Sequence, residues 1–307
     1  MQSRFRSDRR LTVRMGLTLF LLGLLYVAFV AALIVLLKSW VLVVVLAGGL
    51  LVAQYWFSDR IALYAMKGRI VEREEYPELH GVIDRLCAVA DMPKPVVAVS
   101  DIDMPNAFAT GRNANNAVIC VTTGLLRRLE PAELEGVLAH ELSHVAHKDV
   151  AVITVASFLG VLAGLMVRFA FYSQIFRGRK DQNTLAVFAG IMGISAAVYA
   201  ISFLLIRALS RYRELAADRA AALLTGRPSA LASALTKVDG DIARIPTKDL
   251  RTAQAFNAFY FSPATGTEPG ISKYFSTHPS LEQRLDQLGR ISAELGEAAV
   301  PGIDKAG

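Results

Sequence analysis

The sequence predicts a mainly α-helical membrane protein whose water-soluble part contains a small β-sheet. Of its 307 residues, 53% are hydrophobic and the mean hydropathy is +0.40, values too apolar for an ordinary soluble protein. Four long runs without charged residues account for this excess, and two polar segments alternate with them. We therefore expect two hydrophobic hairpins, at residues 1–57 and 150–209, and one soluble domain assembled from residues 58–149 and 210–307.

The first hairpin opens with an arginine-rich end. Residues 1–14 carry five arginines against one aspartate, and residues 15–37 contain no charge, which is the length of a membrane-spanning helix. After a short break, residues 40–57 form a second uncharged run that is long enough to return across the bilayer. Arginine and lysine favour the cytoplasmic side of a membrane. The five arginines before the first run therefore predict that the N-terminus and the residues after Phe57 are cytoplasmic.

The second hairpin is less clearly a membrane crossing. Its uncharged runs cover residues 151–167 and 185–206, but residues 177–181 between them contain two arginines and a lysine, which fit poorly in an extracytoplasmic loop. A shallow or protein-buried hairpin is therefore the alternative to two full spans. No proline or glycine interrupts residues 195–225, so we expect the last helix to continue beyond the apolar run as far as Gly226.

Periodicity and turn signals predict the regular elements of the soluble domain. A turn-rich stretch between two short apolar segments is typical of a β-hairpin, and Pro131 directly after Glu130 is typical of the first turn of a helix. The expected elements are a helix at Pro77–Ala90, a strand at Val96–Ser100, a hairpin formed by Ala107–Thr110 and Ala117–Thr122, and a helix from Pro131 to about Lys148.

Charge and cysteine content exclude some classes of function. The net charge is +6 and the pI is near 9.4, but the basic residues cluster beside the apolar runs and no nucleic-acid-binding motif accompanies them. We therefore expect the lipid bilayer, and no nucleic acid, as their partner. The two cysteines, Cys87 and Cys120, form no CxxC pair, so neither a disulfide framework nor a thiolate metal site is predicted.

The strongest functional signal is the sequence HELSH at residues 140–144. On a helix, His140 and His144 lie on one face, so both imidazoles can bind a single tetrahedral Zn²⁺. Glu141 would lie beside the open position of the metal, where a carboxylate can take a proton from a water molecule. The pattern predicts a zinc hydrolase, and the alternative is a surface helix that has these residues by chance.

A catalytic zinc ion usually has a third protein ligand. One class of zinc protease has a histidine six residues after its second ligand, but that position is Val150 in this chain. Gluzincins use a glutamate from a separate downstream helix, and Glu214 is the candidate because it lies on the helix that emerges from the fourth apolar run. Asp218 lies one turn later on the same face and is the candidate for orienting a ligand histidine. The alternative is that both belong to a solvated, charged helix face.

Four motifs together resemble a known family. They are NAFATG at 106–111, HELSHVAHKD at 140–149, RELAADRAA at 213–221 and STHPSLEQRL at 276–285. Their order, over nearly the whole chain, resembles that in the HtpX membrane metalloproteases, bacterial relatives of the CAAX prenyl proteases. The resemblance implies a zinc-dependent endopeptidase with a mostly helical, gluzincin-like protease domain. It also implies a multi-pass protein of the bacterial plasma (inner) membrane, with a cytoplasmic active site that degrades misfolded or damaged membrane proteins under stress.

The resemblance also implies roles for individual residues. NAFATG is similar to an edge strand that holds an extended substrate, with Asn106 and Ala107 as candidates for substrate binding. His278 is the candidate for stabilising the oxyanion or the substrate carbonyl, and Arg284 for a substrate-site residue that orients nearby groups. The implied metal site contains one zinc ion per subunit, with His140, His144 and Glu214 as ligands, Asp218 behind them and Glu141 as the general base.

Two other functions are compatible with the residues. One is a membrane-bound chaperone or scaffold in which zinc is structural, although such a site usually has a fourth protein ligand, often cysteine, and neither cysteine lies near the motifs. The other is a specific processing protease of the prenyl-protease type. The chain has four hydrophobic segments, whereas those relatives have a larger membrane chamber, which argues against this second function.

Overall fold

The computed structural model describes residues 9–37, 66–111, 113–147, 182–243 and 278–296, together with a few isolated positions between 41 and 64. The chain divides into two compact units. An apolar unit contains residues 9–57 and 151–209, and a polar unit contains residues 1–8, 58–150 and 210–307. The apolar run predicted at residues 151–167 lies outside the described residues, and so does most of the run at residues 40–57.

The described part of the apolar unit is helical. Helix α1 covers Arg9–Leu37, and helix α5, Gln182–Thr225, contributes residues 182–209. Within the described residues, the stretches Gly16–Val35 and Ala189–Thr225 are long and apolar enough to cross a membrane. Many large apolar side chains of α1 are exposed, as lipid-facing side chains are. They include Leu17, Phe20, Leu24, Val27 and Val35.

The polar unit is built around a four-stranded mixed sheet. Its strands are β1 (Gly68–Ile70), β2 (Val96–Ser100), β3 (Ala107–Gly111) and β4 (Ala117–Thr122), in the order β1-β2-β4-β3. Strand β2 runs parallel to β4, and the other two pairs are antiparallel. The predicted strand and β-hairpin are confirmed, and β3 lies at an edge of the sheet.

Five helices and the last part of α5 complete the described polar unit. They are α2 (Pro77–Ala90), α3 (Thr123–Arg128), α4 (Pro131–Ala146), α6 (Pro228–Ala243) and α7 (Leu281–Leu295). The helices predicted at 77–90 and from Pro131 are confirmed. Helix α5 ends at Thr225, as predicted, because Gly226 adopts φ +66° and terminates it.

Helix α4 is fixed at its start and along its length. Glu130 and Glu133 form a capping box, and the Glu133 carboxylate also accepts hydrogen bonds from Ser233 (2.6 Å) and Lys237 (2.8 Å) of α6. Gly136 allows α6 to approach closely, since a Cβ at this position would lie 3.3 Å from the Cβ of Leu231. The helix that contains HELSH is therefore held rigidly against α6.

One apolar core joins the sheet to these helices. All six residues of β4 are buried, so both faces of the sheet are covered there. On α4, the largest apolar side chains of the core are Leu138 and Leu142, both 0% exposed. The HELSH residues thus extend from a helix that is anchored on its apolar face, which limits how far their side chains can shift.

Two glycine substitutions should change stability in opposite directions. A Cβ at Gly124 would overlap the carbonyl of Asp103, whereas a Cβ at Gly81, inside helix α2, meets no heavy atom within 4 Å. We expect Gly124→Ala to destabilise the fold by about 2 kcal/mol or more. We expect Gly81→Ala to stabilise it by about 0.5–1 kcal/mol, because alanine loses less backbone entropy in a helix. Thermal unfolding of the purified protein measures both, and equal midpoints for the two variants would contradict the packing described at Gly124.

Candidate metal centre

Helix α4 places two imidazoles side by side. His140 and His144 lie one turn apart, and their Nε2 atoms are 3.2 Å from each other. Their rings are nearly perpendicular, and the residues are only 1% and 7% exposed. Two ring nitrogens this close need a shared proton or a cation between them, because two lone pairs repel.

Glu214 of helix α5 completes the group. Its Oε2 lies 3.5 Å from His140 Nε2, and its Oε1 lies 3.5 Å from His144 Nε2. One ligand atom from each of the three residues lies within 4.8 Å of the others, and all three residues are buried. Among the residues that the structure describes, this is the one such group of three. Two imidazoles and a carboxylate are a donor set that fits Zn²⁺.

Asp218 supports His140 from behind. Its Oδ1 is 2.9 Å from His140 Nδ1, and the residue is 0% exposed. Arg284 of helix α7 donates to both carboxylate oxygens, at 2.7 Å through Nε and 2.6 Å through Nη2. A carboxylate on Nδ1 fixes the histidine tautomer that leaves Nε2 available to a metal ion.

His278 and Arg284 both come from the segment that contains helix α7. His278 is 6% exposed, and its Nδ1 lies 3.4 Å from Glu214 Oε2, so the structure brings it to the site. Arg284 is 2% exposed, with its guanidinium against Asp218. We expected Arg284 at the substrate site as a residue that orients nearby groups, and in the structure the group it contacts is the Asp218 carboxylate.

Glu141 is held by the edge strand. Its Oε2 accepts a hydrogen bond of 2.9 Å from the backbone N–H of Ala109 in β3. The residue is 4% exposed, and burial raises the pKa of its carboxyl group, while the neighbouring histidines oppose that shift. A carboxylate whose pKa is raised toward neutrality is better suited to accept and return a proton.

Hydrogen bonding also shifts the pKa of His140. Burial lowers its pKa, but the hydrogen bonds to Asp218 and Glu214 raise it to about 9. When a metal ion binds at Nε2, the proton on that nitrogen must leave, and the proton on Nδ1 stays in the hydrogen bond to Asp218.

Asn106 and Ala107, the two candidates for substrate binding, differ in the direction of their backbone hydrogen-bonding groups. The Asn106 N–H donates to Thr122 Oγ1 and its carbonyl accepts from the Thr122 N–H, both at 2.9 Å, so Asn106 faces strand β4. Backbone groups of an antiparallel strand alternate in direction, so those of Ala107 and Ala109 point away from β4. The Ala109 N–H meets Glu141, and Ala107 is only 1% exposed. Of the two candidates, Ala107 is therefore the one whose backbone groups are not used by β4.

The contribution of Ala109 was not predicted from the sequence. It acts through a backbone N–H, which any residue except proline supplies, so its identity gives no signal. The indirect signal was the NAFATG motif itself, because an edge strand beside the HELSH helix has outward-facing donors that can reach the helix.

The family model described as Peptidase family M48 matches residues 73–292, a range that includes every residue of this site. The chain is therefore a metallopeptidase. Enzymes of this family depend on a divalent metal ion, typically zinc, and act on proteins.

Relatives identify the branch of the family. Protease HtpX homolog 1 of Streptomyces coelicolor is 85% identical over 302 residues, which cover 98% of this chain and 99% of that protein. The Protease HtpX homolog of Moorella thermoacetica is 49% identical over 298 residues, with 97% and 99% covered. The crystal structure of S. mikatae Ste24p shares the fold, with a TM-score of 0.50 at 19% identity, and the match covers 92% of this chain and 67% of that one. The chain belongs to the HtpX proteases of peptidase family M48.

Removing the Ala109 N–H should impair catalysis without removing metal. Proline is tolerated at edge positions whose N–H points out of the sheet, so Ala109→Pro should fold. The variant loses the donor that holds Glu141, and its ring displaces the carboxylate. We expect roughly a 10–100-fold loss of kcat with zinc content unchanged. Peptidase assays and metal analysis measure both, and wild-type kcat in a folded variant would show that the hydrogen bond is dispensable.

Proposed function

We propose that this protein is a zinc-dependent membrane endopeptidase that hydrolyses peptide bonds of misfolded or damaged membrane proteins. One zinc ion per subunit is bound by His140, His144 and Glu214. The observation that supports this most directly is the convergence of three buried ligand atoms within 4.8 Å of one another. Glu141 lies on the same helix as the two histidines and one residue from the first of them.

The chemistry divides between the metal and the protein. Zinc at this site supplies a Lewis acid that polarises the substrate carbonyl and lowers the pKa of a water molecule. Glu141 is the general base: its carboxylate takes the proton of the attacking water and then returns it to the leaving amine. The Ala109 N–H donates a hydrogen bond of 2.9 Å to Oε2 of Glu141. Oε1 is therefore the oxygen that accepts and returns the proton.

Substrate is held by backbone pairing along β3. An extended peptide would add to this edge through the groups of Ala107 that point away from β4, which requires a local change because Ala107 is 1% exposed. Asn106 fixes the start of the strand through its bonds to Thr122. Such pairing depends little on the side chains of the substrate, as the quality control of varied substrates requires. His278 lies beside Glu214 and is the residue we propose for stabilising the oxyanion.

The membrane topology we propose has four hydrophobic helices, with the N-terminus and the active site in the cytoplasm of a bacterium. It is supported by the arginine-rich N-terminus, by the two described helical stretches that are long and apolar enough to span, and by the HtpX relatives. The soluble domain then combines residues 58–149 and 210–307. The proposed partners are membrane-protein substrates and the lipid bilayer, with no role for nucleic acid.

Substitutions at the site should separate chemistry from metal binding. We expect Glu141→Gln to keep one zinc ion and to lose casein cleavage by at least about 1,000-fold, because the general base is removed. We expect Glu214→Ala to lose zinc. Glu135→Gln, on the same helix but ion-paired to Arg85, is the control and should retain both properties. Near-wild-type cleavage by purified Glu141→Gln would overturn the mechanism, and zinc binding by every variant without cleavage of any protein would favour the structural-zinc scaffold.

Cysteine labelling should test the topology. Burial raises the pKa of Cys87 to about 11 and that of Cys120 to about 12, so neither native thiol should react with a maleimide. In intact cells, an impermeant maleimide should label Ser39→Cys, at the tip of the first hairpin, but not Ser58→Cys. The reverse pattern would place the active site outside the cytoplasm.

The same reagent should resolve the second hairpin. If it spans the membrane fully, Ser173→Cys in its connection should be labelled from outside. If the hairpin is shallow or buried in protein, Ser173→Cys should react only after the cells are permeabilised.

A further inference from the structure

The segment that contains helix α7 contacts helix α5 at three points within little more than one turn. The ring of His278 lies 3.4 Å from the Glu214 carboxylate, and Arg284 binds the Asp218 carboxylate. The third contact is of a different kind: Gln287 donates a hydrogen bond of 2.6 Å from Nε2 to the backbone carbonyl of Leu215. The first two contacts hold side chains, and the third holds the helix backbone itself.

The Leu215 carbonyl does not need this hydrogen bond for its own satisfaction. Inside an α-helix it accepts from the N–H four residues later, and the Gln287 amide uses its second lone pair. The bond therefore adds a positional constraint. It fixes the rotation and the height of the α5 turn that contains both Glu214 and Asp218.

The position of this turn determines the geometry of the candidate metal site. Glu214 must reach two imidazoles that come from another helix, and Asp218 must meet His140 Nδ1 at 2.9 Å. A small rotation of α5 would move both carboxylates at once, in the same direction. Since metal ions require ligand distances within a few tenths of an ångström, such a rotation would weaken binding.

We propose that Gln287 is a positioning residue for the metal site, which holds the Glu214–Asp218 turn in register with the two histidines of α4. Gln287 lies next to Leu288 of the buried core, so its side chain is presented from an anchored helix. The inference rests on the proposed function, because it requires Glu214 to be a metal ligand.

The test compares two substitutions of Gln287 in the full-length, detergent-purified protein. Gln287→Met keeps the length of the side chain but removes its donor, and Gln287→Lys keeps a donor. Glu294→Met is the matched control, because Glu294 is an exposed polar residue on the same helix. The measurements are the zinc Kd, by competition with a chromophoric chelator, and the unfolding midpoint of the metal-free protein.

We expect Gln287→Met to raise the zinc Kd roughly tenfold, the lower end of what loss of an outer ligand partner does. Gln287→Lys should stay close to the wild-type Kd, and Glu294→Met should not change it. If Gln287→Met lowers only the unfolding midpoint and leaves the Kd unchanged, Gln287 is merely structural. If Gln287→Lys weakens zinc binding as much as Gln287→Met, side-chain packing and not the donor is responsible. Either result overturns the proposal.

Glu214→Ala distinguishes this inference from the proposed function. If that variant binds zinc as tightly as wild type, the metal site itself is wrong. If Glu214→Ala loses zinc while Gln287→Met retains full affinity, the site stands and only the positioning role of Gln287 fails.

Discussion

The polar unit depends on the contacts that allow the Asp218 carboxylate to be buried. This carboxylate is 0% exposed, and it joins three helices by binding His140 of α4 and Arg284 of α7 from its own position on α5. A buried charge costs several kcal/mol unless it is paired and hydrogen-bonded, so none of the three residues can be buried alone. The pairing that makes their burial tolerable also fixes the geometry of the candidate metal site. Stability and function thus share one set of contacts.

The carboxylate of Glu141, the proposed general base, is likewise held by more than one element. Glu141 lies on the helix of the two histidines, yet its orientation is set by the edge strand through the Ala109 N–H. The strand that is proposed to hold the substrate therefore also orients the proposed general base. A peptide bound along β3 would therefore lie beside Glu141, and close positioning of the two is a condition for efficient proton transfer.

The sequence predicted those features that depend on side-chain identity at fixed helical spacing. His140, His144, Glu214 and Asp218 could be found because ligand chemistry restricts the residue type and the helix restricts the spacing. The Ala109 and Gln287 contacts could not, because a backbone group takes part in each. The partner of Arg284 could not be predicted for another reason: Asp218 lies 66 residues away in the chain, and only the fold shows that the guanidinium is buried against it. Apolar length likewise predicts helices such as α1, but it does not determine whether a hairpin crosses the bilayer.

X-ray absorption at the zinc K-edge of the purified wild-type protein would test the central claim most directly. Ligation by His140, His144 and Glu214 predicts one zinc ion per chain with nitrogen and oxygen neighbours near 2.0–2.1 Å, two of them imidazoles, and no sulfur. A shell near 2.3 Å would indicate cysteine ligation and contradict the assignment. A site with four imidazoles would contradict it equally, because that would leave no place for Glu214 or for a water molecule.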